Sequence, residues 1–459
     1  MNRPSDISIH TFKRAYFVGI GGIGMSALAR YFKRQGWPVA GYDKTPSDLT
    51  ESLENEGIEV HFTDLGKDIP KAFKAKEDTL VVYTPAIPKD HGELNYFKDN
   101  GFHLLKRSEV LGLLTCSSLG LGVAGTHGKT TTSALLAHIL DSSELKCSAF
   151  LGGIASNFDS NLVLSTTSKY TVVEADEFDR SFLALRPFAS IITSVDPDHL
   201  DIYGDADYFR EGFQRYADLI CQDGFLVLKE GLPITPKLRT ITYAVGSQSA
   251  DVSVENMRFD EGFFVFDVRV GKDTWQGVTL GIPGIHNAEN AAACIAMSLE
   301  LGLNETQIRD SIASFKGVKR RFEYHIRNAH VVYIDDYAHH PTEIHSFISS
   351  VRLMYPHRRI VGAFQPHLFS RTRDFFEAFA HELSALDELV LLPIYPAREL
   401  PIEGVNSERL LAEIELSKKQ LLTAQETLEY LSKQRDCVIL TMGAGDIDRI
   451  VEPLTKALS

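Results

Sequence analysis

The residues that most constrain this chain are Gly125-Thr126-His127-Gly128-Lys129-Thr130-Thr131-Thr132. An apolar run, Leu119 to Ala124, enters them and reads as a buried strand; a helical pattern, Ser133 to Leu140, leaves them. Strand, glycine turn and helix make a phosphate cradle. Backbone N–H groups converge in the turn, the helix N-terminus carries partial positive charge, and the Lys129 ammonium reaches the terminal phosphates. The Thr130 hydroxyl is then placed to hold magnesium. The spacing is a shortened G-x-x-G-K-T, with Val123 where the usual pattern has its first glycine. A plain glycine turn followed by a surface lysine is the alternative, and the strand, turn and threonine run together argue against it. The chain is expected to bind ATP or GTP.

With 459 residues, the chain has room for roughly three domains of about 150 residues each. Its net charge of −14 argues against general nucleic-acid or anionic-membrane binding. Anionic ligands must be captured locally, by glycine loops, arginines and magnesium. The cysteines, Cys116, Cys147, Cys221, Cys294 and Cys437, are scattered and form no C-x-x-C pair, which excludes a disulfide framework or zinc knuckle. No apolar run is long enough to span a bilayer, and a reducing cytoplasm is the expected location.

Three α/β units follow one another. The first opens with Ala15–Val18 running into Gly19-Ile20-Gly21-Gly22-Ile23-Gly24, a helix Met25 to Gln35, and a second strand ending at Asp43. This G-x-G-x-x-G with a later acidic residue is the fingerprint of dinucleotide binding, but the same geometry holds any nucleotide pyrophosphate, so both remain open. The second unit holds the phosphate loop and two further strand ends, Glu174-Ala175-Asp176-Glu177 and Asp196-Pro197-Asp198-His199-Leu200-Asp201. Between about 251 and 279 short alternating strands suggest an antiparallel flap. The third unit begins near Phe322 and sends strands into Asp335–His340, Gln365-Pro366-His367, Tyr395–Glu399 and Gly443–Asp446.

Glu174 at a strand end suits magnesium coordination, whereas Asp176 and Glu177 read more readily as a solvated acidic turn. His199 among carboxylates suits a second metal or a proton carrier. Asn287 and Asn290 share a helix face; capping and reading an adenine edge are both open. An arginine within Lys319-Arg320-Arg321 at an interdomain seam can reach a γ-phosphate when the cleft closes, or simply be a solvated face. His339, His340, His367, Arg371 and Arg373 suit a clamp on a small carboxylate, or a scatter of surface groups.

Together these stretches resemble the Mur ligase family, ATP-dependent amino-acid ligases of peptidoglycan assembly. The resemblance runs through GIGGIGMS at 19–26, GTHGKTTT at 125–132, EADEFDRSFL at 174–183, DHLDIYGD at 198–205 and GIHNAEN at 284–290. It continues through GVKRRFE at 317–323, DDYAHHPTE at 335–343, FQPHLFSRT at 364–372 and PIYPARELPIEGV at 393–405. The opening and the third-unit motifs look like those of the alanine-adding members.

The resemblance implies an α/β fold of three domains: Rossmann-like 1–108, P-loop 109–321 and Rossmann-like 322–459. It implies ATP and Mg2+ as cofactors, UDP-N-acetylmuramate and L-alanine as substrates, no nucleic acid, no membrane insertion, and a monomer or homodimer. Gly21 and Gly22 would bind the UDP pyrophosphate, with Asp43 near the ribose. Gly125, Thr126, Gly128, Lys129, Thr130 and Thr131 would hold ATP phosphates; Thr130, Glu174 and His199 would hold metal. Asn290 would meet adenine, Arg321 the γ-phosphate and Asp336 the ATP ribose. Tyr337, His339, His367, Arg371 and Arg373 would form the alanine end. The catalytic set would be Lys129, Glu174, His199 and Arg321. The motifs that carry the resemblance supply no counterpart of the lysine that other members carbamylate. A ligase joining a preformed peptide, a nicotinamide-dependent oxidoreductase built on Gly19–Gly24, and a nucleotide sensor with a vestigial ATPase are the rival readings.

Overall fold

The apolar run Arg14–Val18 becomes β1, the middle of a sheet with β2 (Val39–Tyr42), β3 (Glu59–His61), β4 (Thr79–Tyr83) and β5 (His103–Lys106). This computed structural model describes residues 9–197, 203, 205–260, 262–397 and 399–459. The strand order is β3-β2-β1-β4-β5, with every pairing parallel. The order reverses at β1, which opens a crevice beyond its carboxyl end. Gly19 turns the chain there with φ 93°, and the helix Ile23–Arg34 starts at the crevice.

A second sheet is built from β6 (Leu119–Ala124), β7 (Ser148–Ala155), β8 (Ser160–Val163), β9 (Tyr170–Ala175), β10 (Ala189–Ile192), β11 (Phe225–Lys229) and β12 (Thr240–Val245). Over these strands its order is β12-β11-β10-β6-β9-β7-β8, parallel except for β7 with β8, and the sheet continues past β12. β6 is flanked by β9 and β10, so the loop after β6 faces the ends of both. One apolar core joins the first two sheets, with Phe17, Leu28, Phe32 and Leu111 in the same cluster as Phe150, Leu162, Val173 and Phe213. Arg30, 5% exposed, crosses that join. It donates to Asn161 Oδ1 at 2.6 Å, to Glu56 at 2.8 Å and to Ser52 at 2.9 Å.

β13 (Val252–Asp260), β14 (Phe263–Val270) and β15 (Asp273–Leu280) lie side by side, with two residues in each connection. Connections that short join antiparallel neighbours, as the alternating pattern predicts.

A third sheet contains β16 (Glu323–Arg327), β17 (Val331–Asp336), β18 (Arg359–Phe364), β19 (Glu388–Leu391), β20 (Lys419–Leu421) and β21 (Cys437–Met442). The order is β16-β17-β21-β18-β19-β20, and only β16 runs antiparallel to its neighbour. Tyr333, Val361, Val390 and Ile439 form part of its core. The chain divides into two compact units: Met1–Ser253 with Arg269–Asp273 and Asn290–Ser311, and Val254–Val268 with Thr274–Glu289 and Ile312–Ser459. Among the described residues no helix is long and apolar enough to cross a membrane.

Candidate active site

The loop expected to hold phosphate, Gly125–Thr132, is shaped by its glycines. Gly128, at φ 78°, is the N-cap of the helix Lys129–Asp141, so the helix starts at Lys129, four residues before the sequence pattern predicts. A Cβ on Gly128 would lie 2.7 Å from the Asn290 side-chain oxygen, and one on Gly125 would collide with Thr193. Asn290 therefore lies against the phosphate loop itself. The loop is tied to the end of β10. His127 N–H donates to Ser194 Oγ at 2.8 Å, the Thr126 hydroxyl donates to Asp196 O at 2.7 Å, and His127 Nε2 is 3.4 Å from Asp196 Oδ2. Thr126, Thr130 and Thr131 are buried.

Lys129 Nζ donates to Gly125 O at 2.6 Å, to Thr126 O at 3.3 Å and to Glu177 Oε1 at 2.9 Å, with Glu177 Oε2 at 2.8 Å. Burial works against the ammonium charge, but Glu177, Asp176 and Glu174 outweigh it and hold Lys129 above its ordinary range. Glu177 is thus no solvated turn residue: it is 2% exposed.

Glu174 ends β9 beside the loop. Its Oε2 is buried without a hydrogen-bond partner among the described residues, and a side chain on Gly152 would collide with it. An orphaned carboxylate oxygen in a glycine-lined cradle fits a divalent cation. Among the described residues no group of three His, Cys, Asp or Glu gathers as a self-contained metal site. A cation there would share its coordination with phosphate and water oxygens. His199, expected as a further ligand, lies outside the described residues, as do Asp198 and Asp201.

In the first glycine loop, Gly21 N–H donates to Asp43 Oδ2 at 2.7 Å. Gly22 caps the helix that follows. Gly24 makes room for Arg107, whose guanidinium would collide with any side chain at residue 24. Arg107 Nη2 then lies 3.1 Å from Asp176 Oδ2, and Lys106 Nζ lies 3.1 Å from Asp179 Oδ2. A cavity of about 80 Å³ is lined by Gly24, Arg107, Gly152, Glu174 and Asp176. It places the first glycine loop and the orphaned carboxylate in one space. In the first turn of the helix Gly92–Asp99, fully buried Glu93 accepts hydrogen bonds from the Tyr16 hydroxyl at 2.9 Å and the Leu65 N–H at 2.9 Å, and contacts Nε2 of His61, the last residue of β3, at 2.7 Å.

In the second of the two compact units, Asp336 ends β17 with both carboxylate oxygens engaged, accepting Phe322 N–H and Ala338 N–H, each at 2.7 Å. Burial pushes its carboxyl up to about 7, against the pull of Arg321 and these donors. The bonds hold a corner in which Arg320 (φ 61°) and Phe322 (φ 50°) are left-handed. The corner separates two arginines. Arg320 points to Asp335 at 3.2 Å, Gly443 O at 2.8 Å and Asp448 at 3.4 Å. Arg321 lies 4.0 Å from Glu343, and both guanidiniums lie over the Tyr337 ring, Arg320 at 5.2 Å and Arg321 at 4.9 Å. Glu343 also accepts the His339 N–H at 3.0 Å and lies 3.2 Å from His339 Nδ1.

The His339 and His367 rings are 6.2 Å apart, His367 stacks on Tyr395 at 5.7 Å, and buried Arg371 lies 3.4 Å from His367 Nδ1. Tyr337, His339, His367 and Arg371 thus gather at the strand ends. Arg373 does not join them; it is exposed and paired with Asp374 at 2.8 Å. His286, near Arg321 and Glu343, is held down to about 4 by burial, and its Nδ1 lacks a hydrogen-bond partner among the described residues.

Comparison with known proteins decides the family. Residues 14–118 match the Mur ligase family catalytic domain, 123–298 the Mur ligase middle domain, and 320–445 the Mur ligase glutamate ligase domain. The chain belongs to the Mur ligase family. This Mur ligase is 52% identical over 451 residues to the UDP-N-acetylmuramate–L-alanine ligase of Porphyromonas gingivalis, covering 97% of this chain and 99% of that one. It is 50% identical over 456 residues to the protein of the same name from Parabacteroides distasonis, covering 98% of each. Its fold matches the crystal structure of UDP-N-acetylmuramate-alanine ligase from Thermotoga maritima with a TM-score of 0.83 at 26% identity, covering 96% of this chain and 98% of that one. The three-domain α/β architecture expected from the motifs is that of the family.

Sequence reasoning missed Glu177, Arg107 and Glu343. Glu343 had a signal, since His340-Pro341-Thr342-Glu343 has capping-box spacing with proline at the first helical position. Arg107 and Glu177 had none, because their partners lie 69 and 48 residues away.

Proposed function

We propose that this Mur ligase joins L-alanine to the carboxylate of UDP-N-acetylmuramate at the expense of ATP, as the names of its full-length relatives at about 50% identity imply. The observation in the structure that supports this most directly is the shared cavity, where the first glycine loop, Arg107 and the unpartnered Glu174 oxygen meet.

The chemistry follows from the acid. A carboxylate has no leaving group, so the ATP γ-phosphoryl is transferred to it, giving an acyl phosphate. The alanine amine attacks, and phosphate departs to leave an amide. The protein's part is to position three substrates and neutralise charge. In this reading Gly125, Thr126, Gly128, Lys129, Thr130 and Thr131 cradle the ATP phosphates, and Gly21, Gly22 and Asp43 take the UDP end. Thr130 and Glu174, with His199, would hold Mg2+, which would neutralise charge on the transferring phosphoryl group. Asn290 is assigned to the nucleotide from its place against the phosphate loop, Asp336 to the nucleotide ribose, and Arg321 to the γ-phosphoryl. Tyr337, His339, His367 and Arg371 form the alanine end. The domains 1–108, 109–321 and 322–459 would each serve one substrate, in a cytoplasmic enzyme that works as a monomer or homodimer.

The test is phosphate release from ATP with UDP-N-acetylmuramate, with and without L-alanine, and the product mass. Alanine-dependent release and a product heavier by one alanine residue support the reading. Turnover only with a preformed tripeptide would assign the chain to the peptide-joining type instead.

A further inference from the structure

The Lys129 ammonium has three N–H donors, and the protein uses all of them. Two go to Gly125 O and Thr126 O within the loop, at 2.6 and 3.3 Å. The third goes to Glu177, which brackets Nζ with both oxygens, at 2.9 and 2.8 Å. The two side chains are only 14% and 3% exposed, so the pair is nearly dry. A phosphate approaching this loop meets a lysine whose charge is already neutralised. We propose that Glu177 is a positioning residue that holds Lys129 in place of a nucleotide phosphate, and that nucleotide binding exchanges one anion for the other. The inference rests on the reading of Gly125–Thr132 as a nucleotide site.

The exchange leaves Glu177 behind as a buried carboxylate without its cation. Among the described residues, the other groups facing it do not replace Lys129. Asp176 raises its pKa further, and Glu174 in β9 and Asp179 after it are like-charged neighbours in sequence. The Tyr203 hydroxyl is committed to the Glu177 carbonyl at 2.6 Å. Arg180 lies over the Tyr203 ring, and Arg107 is committed to Asp176. Burial already pushes the Glu177 carboxyl up to about 7 with Lys129 beside it. Once Lys129 turns to phosphate, Glu177 takes a proton from solvent.

The test is calorimetric titration of the full-length protein with ADP, without divalent metal, at pH 8 in Tris and in HEPES. The difference in binding enthalpy between buffers gives the protons taken up. The wild type is expected to take up about 0.5–1 proton. Glu177→Gln is expected to bind ADP about 3–10-fold tighter, with no uptake, because the competing anion is gone. Glu177→Asp keeps the charge but withdraws it by one methylene, and is expected to gain less affinity. If Glu177→Gln does not fold, the wild-type buffer comparison and Glu177→Asp decide. Wild-type binding without proton uptake overturns the exchange, as does unchanged or weaker binding by a folded Glu177→Gln. No binding of ADP by the wild type overturns the nucleotide site itself, and the exchange with it.

Discussion

The Arg107 guanidinium lies 3.1 Å from the Asp176 carboxylate, and these residues belong to the stretches matched by different Mur ligase domains. The contact ties the start of the helix Arg107–Cys116 to the acidic loop that follows β9. With the two side chains 24% and 36% exposed, solvent screens the pair. A double-mutant cycle with Arg107→Met and Asp176→Asn, read by urea denaturation, is expected to give a coupling of about 0.5–1 kcal/mol.

Gly152 leaves the space that the Glu174 carboxylate occupies. Gly152→Ala is expected to fold and to displace Glu174. The Mg2+ concentration for half-maximal activity should rise about tenfold or more, since a carboxylate ligand is moved by a methyl group's width. A magnesium titration of activity at saturating ATP checks this; an unchanged midpoint removes Glu174 from the metal site.

Asn290 places an uncharged oxygen against Gly128. Asn290→Asp keeps the shape and adds a negative charge beside the phosphate loop, so the KM for ATP is expected to rise about tenfold or more. Asn290→Ala should do less. The comparison separates electrostatic repulsion from lost packing.

The strand, glycine turn and helix around Gly125–Thr132 and the ends of β1, β9 and β17 were legible because local pattern sets them: an apolar run, then glycines or polar groups. Pairing was not. Glu177 follows Glu174 and Asp176 in an acidic run, and nothing local says that it turns inward to a lysine 48 residues earlier. Arg320 and Arg321 look equivalent as neighbours. A left-handed corner, fixed by Asp336 bonding to Phe322 N–H, sends them to different acidic partners, although both lie over the Tyr337 ring. The helix start at Lys129 was placed late because a glycine with positive φ serves as its cap, where side-chain caps are the usual signal.

Asn161 is fully buried and meets Arg30 at 2.6 Å, Ile23 O at 2.6 Å and Ser26 Oγ at 2.9 Å. Asn161→Ala strips a partner from a buried guanidinium and from a helix-start carbonyl. A loss of about 3 kcal/mol is expected in equilibrium unfolding. A loss under about 1 kcal/mol would show that water replaces the amide.

His286 gives a pH signature. Its folded pKa is about 4 against an ordinary 6.5, so between those values the unfolded chain binds more protons and stability rises with pH. The contribution is fully present above about 6.5 and is lost as pH falls towards 4, with a ceiling of about 3 kcal/mol. His286→Gln is expected to flatten the difference in urea midpoint between pH 4.5 and pH 7.5 relative to the wild type.

The space shared by Gly24 and Arg107 also sets an order on how this protein can drift. An alanine at residue 24 pushes the Arg107 guanidinium aside, because the new methyl group falls on it. The exchange therefore costs the Arg107 contact with Asp176 while the arginine is present, and costs less once residue 107 has been shortened. The two positions, 24 and 107, are coupled in the order in which they change most easily, with residue 107 first.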